Sequence, residues 1–144
     1  MQEQKYANHR RFVPLYHFVT FFALVLTIIG GCVNLANALG DHSRLYNASL
    51  ILGLSVVVFS IYIYARLFAL RAQDRAIRAE ENFRHFVLTG KPLDPKLALR
   101  QIIGLRFASD AEFPALAARA LAENLTEDQV KREVRQWRAD HDRA

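Results

Sequence analysis

VPLYHFVTFFALVLTIIGGCVNLANAL, Val13 to Leu39, is followed five residues later by LYNASLILGLSVVVFSIYIYA, Leu45 to Ala65, and these two runs decide the fold. Neither contains Asp, Glu, Lys or Arg. A bilayer core of about 30 Å takes roughly 20 apolar residues as a helix, so each run is long enough to cross once. A helix of a water-soluble domain keeps one polar face, and these runs have none. A signal peptide is the rival reading of the first run. Its apolar stretch is too long for that, and the second run follows with no small-residue cleavage site between them.

The link Gly40-Asp41-His42-Ser43-Arg44 is short and polar, which predicts an antiparallel hairpin. Basic residues gather on the cytoplasmic side of spans. Lys5, Arg10 and Arg11 precede the first span, Arg66, Arg71, Arg75 and Arg78 follow the second, and the link offers only Arg44. Both termini are therefore expected in the cytoplasm. Tyr16, Tyr62 and Tyr64 fall near the inner boundary and Tyr46 near the outer one, as an aromatic belt requires. In lipid, helices pair through small residues that admit close approach. Ala23, Thr27 and Gly31 on the first span, and Ser49 and Gly53 on the second, are the expected helix-packing positions.

Moving outward, four regions are expected: a basic arm over 1–11, the hairpin over 12–70, a cytoplasmic extension of the second helix over 71–90, and a small helical tail over 91–144. The extension is expected because neither Gly nor Pro occurs between Ala65 and Gly90. Charges at helical spacing support it, Arg71 with Asp74, Asp74 with Arg78 and Glu80 with Arg84. Thr89-Gly90-Lys91-Pro92 ends it. Asp94-Pro95 then reads as the start of a helix reaching Ala108, with Ala98, Ile102 and Leu105 on its apolar side. Ser109 to Glu112 and Thr126 to Gln129 read as capping boxes opening two more helices, with Leu125 and Val130 as a staple around the second. Val130, Val134 and Trp137 form the last apolar stripe, and Trp137 is the natural anchor, in the tail's own core or against a partner. The fold class is thus all-α: a transmembrane hairpin, a long second helix extending into the cytoplasm, and three short amphipathic helices.

The net charge of +5 is unevenly placed. Residues 66–88 hold five Arg against three acids, whereas 91–144 hold ten basic groups against nine acids. The excess beside the membrane suits anionic headgroups, with Arg66, Arg71, Arg75 and Arg78 as the lipid-headgroup residues. The near-balance of the tail argues against a nucleic-acid footprint. The single cysteine, Cys32, rules out an intrachain disulfide or a paired-cysteine metal site. His17 lies one turn inside the first span and His9 in the arm. An ionisable group at membrane depth is a functional candidate, although an imidazole at the interface also reaches water by snorkelling. Asn34 and Asn37, near the outer end, are expected to bond the partner helix or the loop.

The run Tyr6-Ala-Asn8-His9-Arg-Arg-Phe-Val-Pro14-Leu-Tyr-His17 resembles the opening of a family of small bacterial membrane proteins. So do Leu70-Arg-Ala-Gln-Asp-Arg75 and Leu88-Thr-Gly-Lys-Pro-Leu-Asp-Pro95. Gln101-Ile-Ile-Gly-Leu-Arg-Phe-Ala-Ser-Asp110 with Glu112-Phe-Pro-Ala-Leu116 is the most distinctive stretch. The resemblance covers nearly the whole chain. It implies a two-span protein of the bacterial inner membrane and carries over no activity, cofactor or catalytic residue.

Three functional classes remain from the residues. The first is a non-enzymatic accessory or scaffolding protein, docking on itself or on a larger membrane complex. It fits the lack of paired intramembrane carboxylates, of a nucleophile–base pair and of a phosphate loop, and no cofactor is expected. The second is a redox or transport element using His17 or His9. The third, a membrane-tethered nucleic-acid or ribosome binder through Lys131, Arg135 and Arg138, is disfavoured by the acids interleaved with them.

Overall fold

A computed structural model describes Tyr6 and residues 13–139. The helices are α1 (Phe21–Asn37), α2 (His42–Thr89), α3 (Leu99–Leu105), α4 (Phe113–Ala122) and α5 (Glu127–Glu133), and α1 is preceded by a π-helical turn at Leu15–Thr20. Among the described residues there is no strand, only an isolated bridge between Ala108 and Trp137. The chain divides into two compact units, one ending at Phe68 and one beginning at Ala69 and including Tyr6. The uninterrupted α2 contributes to both, and its 48 residues span about 72 Å at 1.5 Å each. His9 and the basic groups Lys5, Arg10 and Arg11 lie outside the described residues.

In the first unit the turn between the helices is tighter than the polar link suggests. Gly40 takes φ +95, a conformation cheap only for glycine. Asp41 then caps α2: its Oδ1 accepts from the Ser43 N–H at 3.1 Å, the Ser43 hydroxyl at 2.9 Å and the Arg44 N–H at 3.4 Å. The Ser43 hydroxyl, then the Arg44 amide, hold the Asp41 carboxyl below its ordinary value. His42, Ser43 and Arg44 are therefore the first turn of a helix and not a loop.

The helices meet along a regular seam. Its buried or half-buried positions are Phe21, Leu24, Ile28, Gly31, Leu35 and Ala38 on one side, and Leu45, Ala48, Leu52, Ser55, Phe59 and Tyr62 on the other. Both series alternate steps of three and four, the heptad spacing that keeps one helical face toward a partner. This corrects the expected packing set. Gly31 is in the seam, and a β-carbon there comes 3.2 Å from the Leu52 side chain. Ala23, Thr27, Ser49 and Gly53 are exposed, and a β-carbon on Gly53 meets nothing within 4 Å. Steps of four alone advance by about 40° past each full turn of 3.6 residues, so a strict every-fourth row walks off the seam. Asn34 and Asn37 are also exposed. Neither side chain bonds α2 among the described residues.

In the second unit, α3, α4 and α5 enclose a core built on Leu105, Phe107, Phe113, Ala120 and Val130, all fully buried. Three boundaries differ from the sequence expectation. Asp94 caps only a turn, accepting the Lys96 N–H at 2.8 Å, and α3 begins at Leu99 with Ala98 exposed and extended at its N-cap. The Gln101 Oε1 takes the Ala98 N–H at 2.9 Å and so resets the helix start. At the first expected box, Glu112 Oε1 does reach back to the Ser109 N–H at 3.1 Å. The buried Ser109 hydroxyl meets no partner among the described residues, and α4 starts only at Phe113. The second box forms in full, Gln129 Oε1 accepting the Thr126 N–H and Thr126 Oγ1 accepting the Gln129 N–H. The helix it opens stops at Glu133, and Val134 is extended. Trp137 thus lies beyond the helix, on the segment that bridges Ala108.

Candidate functional site

Arg84 is the main polar link between the part of α2 beyond Ala69 and the small helical bundle. Arg84 projects from α2 with its guanidinium 4.5 Å above the Phe113 ring. Its Nη1 donates to Glu81 at 3.0 Å, its Nε to Asp110 at 2.7 Å and its Nη2 to the Ala108 carbonyl at 2.7 Å. The guanidinium is planar, so one side chain fits a fork of acceptors that a lysine does not match. The pairing is with Glu81 and Asp110, not with Glu80 as the spacing suggested. Nearby, Asn82 Oδ1 accepts the Leu93 N–H at 2.9 Å and His85 Nδ1 lies 2.8 Å from the Lys91 carbonyl. These contacts fold the chain after Gly90, at φ +72, back along α2. A polar cleft beside them is lined by Glu80, Glu81, Phe83, Arg84, Asp110 and Arg138.

Two further polar side chains organise the bundle; the sequence marked Glu112 only as part of a capping box and gave no sign of the role of Gln101. Gln101 is 4% exposed. Besides capping α3 it donates from Nε2 to the Ala120 carbonyl at 2.9 Å and the Leu125 carbonyl at 3.0 Å. One amide therefore ties the start of α3 to the end of α4 and to the turn before α5. Glu112 accepts, beyond Ser109, the N–H groups of Arg135 at 3.2 Å and Gln136 at 3.1 Å. It thereby holds the last extended segment, whose Arg138 N–H bonds the Phe107 carbonyl at 2.8 Å. The Trp137 ring lies 4.8 Å from that of Phe107, so the expected anchor is half-buried against the tail's own core. The outer face of the same Phe107 is covered by Arg106 at 4.6 Å and Lys131 at 5.7 Å. Lys131 is itself buried and bonds Glu127 at 2.6 Å, which removes it from any basic surface.

Tyr6 belongs to this unit as well. Its hydroxyl donates to Asp128 and accepts from the Arg132 guanidinium at 3.3 Å, and Arg132 stands over its ring at 5.4 Å. The Tyr6 hydrogen bond is the chief reason that the Asp128 carboxyl sits below its ordinary value. Tyr6, which precedes the first apolar helix in the chain, therefore lies on α5, which follows the second.

In the hairpin, Tyr16 and Tyr62 form a reciprocal clasp. Their rings stack at 4.4 Å, and each hydroxyl donates to the other's main-chain carbonyl, at 2.8 and 2.9 Å. Phe21 and Phe59 continue the aromatic contact, with centroids 6.2 Å apart. His17 is half-buried with Nδ1 turned back on the Val13 carbonyl at 3.0 Å. Cys32 is exposed on α1. Of the four arginines, Arg66 is half-buried and Arg71, Arg75 and Arg78 are exposed. Among the described residues, no group of three or more His, Cys, Asp or Glu side chains is placed to hold a metal ion.

An all-helical chain with two long apolar helices and a satellite bundle is the class defined so far. The model of DUF6526, a family of unknown function, matches residues 1–144, and the chain belongs to that family. No curated protein and no solved structure matches it.

Proposed function

We propose that this is a non-enzymatic accessory or scaffolding protein of the bacterial inner membrane, crossing the bilayer twice with both termini in the cytoplasm. The observation that carries the membrane assignment is the emptiness of the hairpin's outer surface. Only 6% of the first apolar window and 11% of the second are buried. A core helix of a soluble protein is covered on most sides. Here Phe22, Leu26, Ile29, Val33, Leu50, Leu54 and Ile61 face outward, each more than half exposed. Fully burying one such side chain is worth about 1.5–3 kcal/mol, so these seven, each a little over half exposed, leave ~6–12 kcal/mol unrealised in water. That is comparable to the whole stability of a typical domain, about 5–15 kcal/mol. Hydrocarbon removes the penalty, and the helical backbone satisfies its own hydrogen bonds there.

The same-side arrangement of the ends is supported by Tyr6 on Asp128 and Arg132. Two segments in contact occupy one compartment. The excess of Arg beside the spans assigns that compartment to the cytoplasm, and exposed Arg71, Arg75 and Arg78 suit anionic headgroups. The scaffolding role rests on the small bundle, whose polar side chains Arg84, Gln101 and Glu112 are each committed to holding its own segments together.

The test uses impermeant thiol labelling in intact cells, in a Cys32→Ala background. Ser43→Cys is expected to label from outside and Glu123→Cys only after permeabilisation. Labelling of both from one side refutes two crossings. Purification in mild detergent addresses the role: a defined complex supports scaffolding, and a solitary monomer with nothing bound refutes it.

A further inference from the structure

We propose that the partner of the extramembrane part of α2 is a second copy of this chain, aligned in parallel and in register as a short coiled coil. This rests on the two-span reading above and adds the identity of the partner. Phe83 and Phe86 are 68% and 52% exposed on a helix whose other side is engaged. Going back toward the hairpin, they continue a row through Ala79, Ala76, Ala72 and Ala69, all exposed. The steps are three and four in strict alternation, the a/d pattern of a helix that packs against another helix. The row lies on nearly the opposite side of α2 from Ile77, Glu81 and Arg84, which are turned into the bundle. The bundle comes near the row only at Phe83, which borders the cleft beside Asp110 and Arg138 and still keeps most of its surface exposed. An aromatic pair beside Val87, itself 66% exposed, has no reason to face water unless something covers it.

Charge complementarity selects the occupant and its direction. With Ala69, Ala76 and Phe83 at a and Ala72, Ala79 and Phe86 at d, Arg75 takes position g and Glu80 position e. In a parallel pair, g of one helix meets e of the next heptad on the other, so Arg75 faces the second copy's Glu80 and the reverse contact repeats it. Both side chains are exposed, and neither is in an ion pair among the described residues. An antiparallel pair brings g against g and sets Arg75 near Arg75. The bilayer excludes that arrangement independently, because both α2 helices leave the same membrane face. Alanines let two backbones approach closely, and confinement to the membrane raises the effective concentration of a seam too short to hold in free solution.

The experiment places single cysteines in full-length Cys32→Ala protein in native membranes and adds a mild oxidant. Ala72→Cys, Ala76→Cys and Ala79→Cys are each expected to give disulfide-linked homodimers in several-fold higher yield than Asp74→Cys, which points to the outer side. Equal yields at all four positions, or self-linkage at one position only, overturn the parallel register. Linkage to a different protein overturns the second copy as occupant. In the Ala76→Cys chain, Arg75→Glu or Glu80→Arg is expected to lower the yield several-fold, and the two together to restore it. Failure of restoration removes the charge argument. Alkaline carbonate extraction of the same membranes separates the outcomes: a chain that stays in the pellet yet fails to cross-link refutes the dimer alone, whereas release into the supernatant refutes the membrane reading.

Discussion

Replacing Gln101 with Leu strikes a side chain that bonds the start of α3, the end of α4 and the turn before α5. The volume stays nearly constant, so the loss is of hydrogen bonds. Three are removed: the Ala98 N–H to Oε1, and Nε2 to the Ala120 and Leu125 carbonyls. The Ala120 carbonyl keeps a second donor in the Leu125 N–H at 3.0 Å, and Ala98 is at the surface, so water replaces part of what is lost. At about 1 kcal/mol net per bond the cost is ~2–3 kcal/mol. A unit of roughly 50 residues at about 0.1 kcal/mol each has ~5 kcal/mol in total, so half of its stability goes. Trp137 is the only tryptophan and stacks on Phe107 inside this unit, which makes its fluorescence a local reporter in the full chain in detergent. With a urea slope of about 1 kcal/mol/M, the midpoint is expected to fall by ~2–3 M. Gln101→Glu is expected to fall further, since a carboxylate opposes two carbonyl oxygens and is charged where it is buried. A Leu midpoint within about 0.5 M of the parent refutes the bridging role of this amide.

Three other outcomes follow from named contacts. Arg84→Lys is expected to destabilise the bundle by about 2–4 kcal/mol, because one ammonium cannot replace the fork to Glu81, Asp110 and Ala108 and leaves a buried carboxylate poorly paired; the Trp137 urea midpoint reads it. Gly31→Leu is expected to lower the melting temperature of the detergent-solubilised protein, as an added β-carbon alone comes 3.2 Å from the Leu52 side chain, whereas Gly53→Leu is expected to leave it unchanged. For Asp128, whose folded pKa is lowered by Tyr6, the linkage is that of a depressed carboxyl. Its contribution is complete above the unfolded value of about 3.9 and is lost as pH falls through the lower folded value. Hydrogen exchange at Tyr6 is therefore expected to speed up only in that acid range, and Tyr6→Phe or Asp128→Asn to abolish the dependence.

Much of this architecture was legible in the residues alone. Two charge-free runs, their short link, the long Gly- and Pro-free helix and the box at Thr126 are local signals, set by periodicity and capping within a few residues of chain. The seam was not. Helix packing depends on which face meets a neighbour, and a row of small residues four apart looks like a contact in one helix yet rotates away from it in a pair. The same holds for the bundle. Glu112 read as a capping-box residue and Gln101 fell inside an expected helix, and their bonds to other segments reach 19 to 24 positions along the chain, where no spacing rule connects them. Trp137 read as the last turn of a helix because apolar periodicity does not register that Glu112 has taken the amides of Arg135 and Gln136 and drawn the backbone out of helical form. Composition and local pattern determined that there would be two apolar helices and a polar helical tail. The choice of contacting faces, the ends of the short helices and the return of Tyr6 to α5 came only from the tertiary structure, since each depends on groups that become neighbours only once the chain has folded.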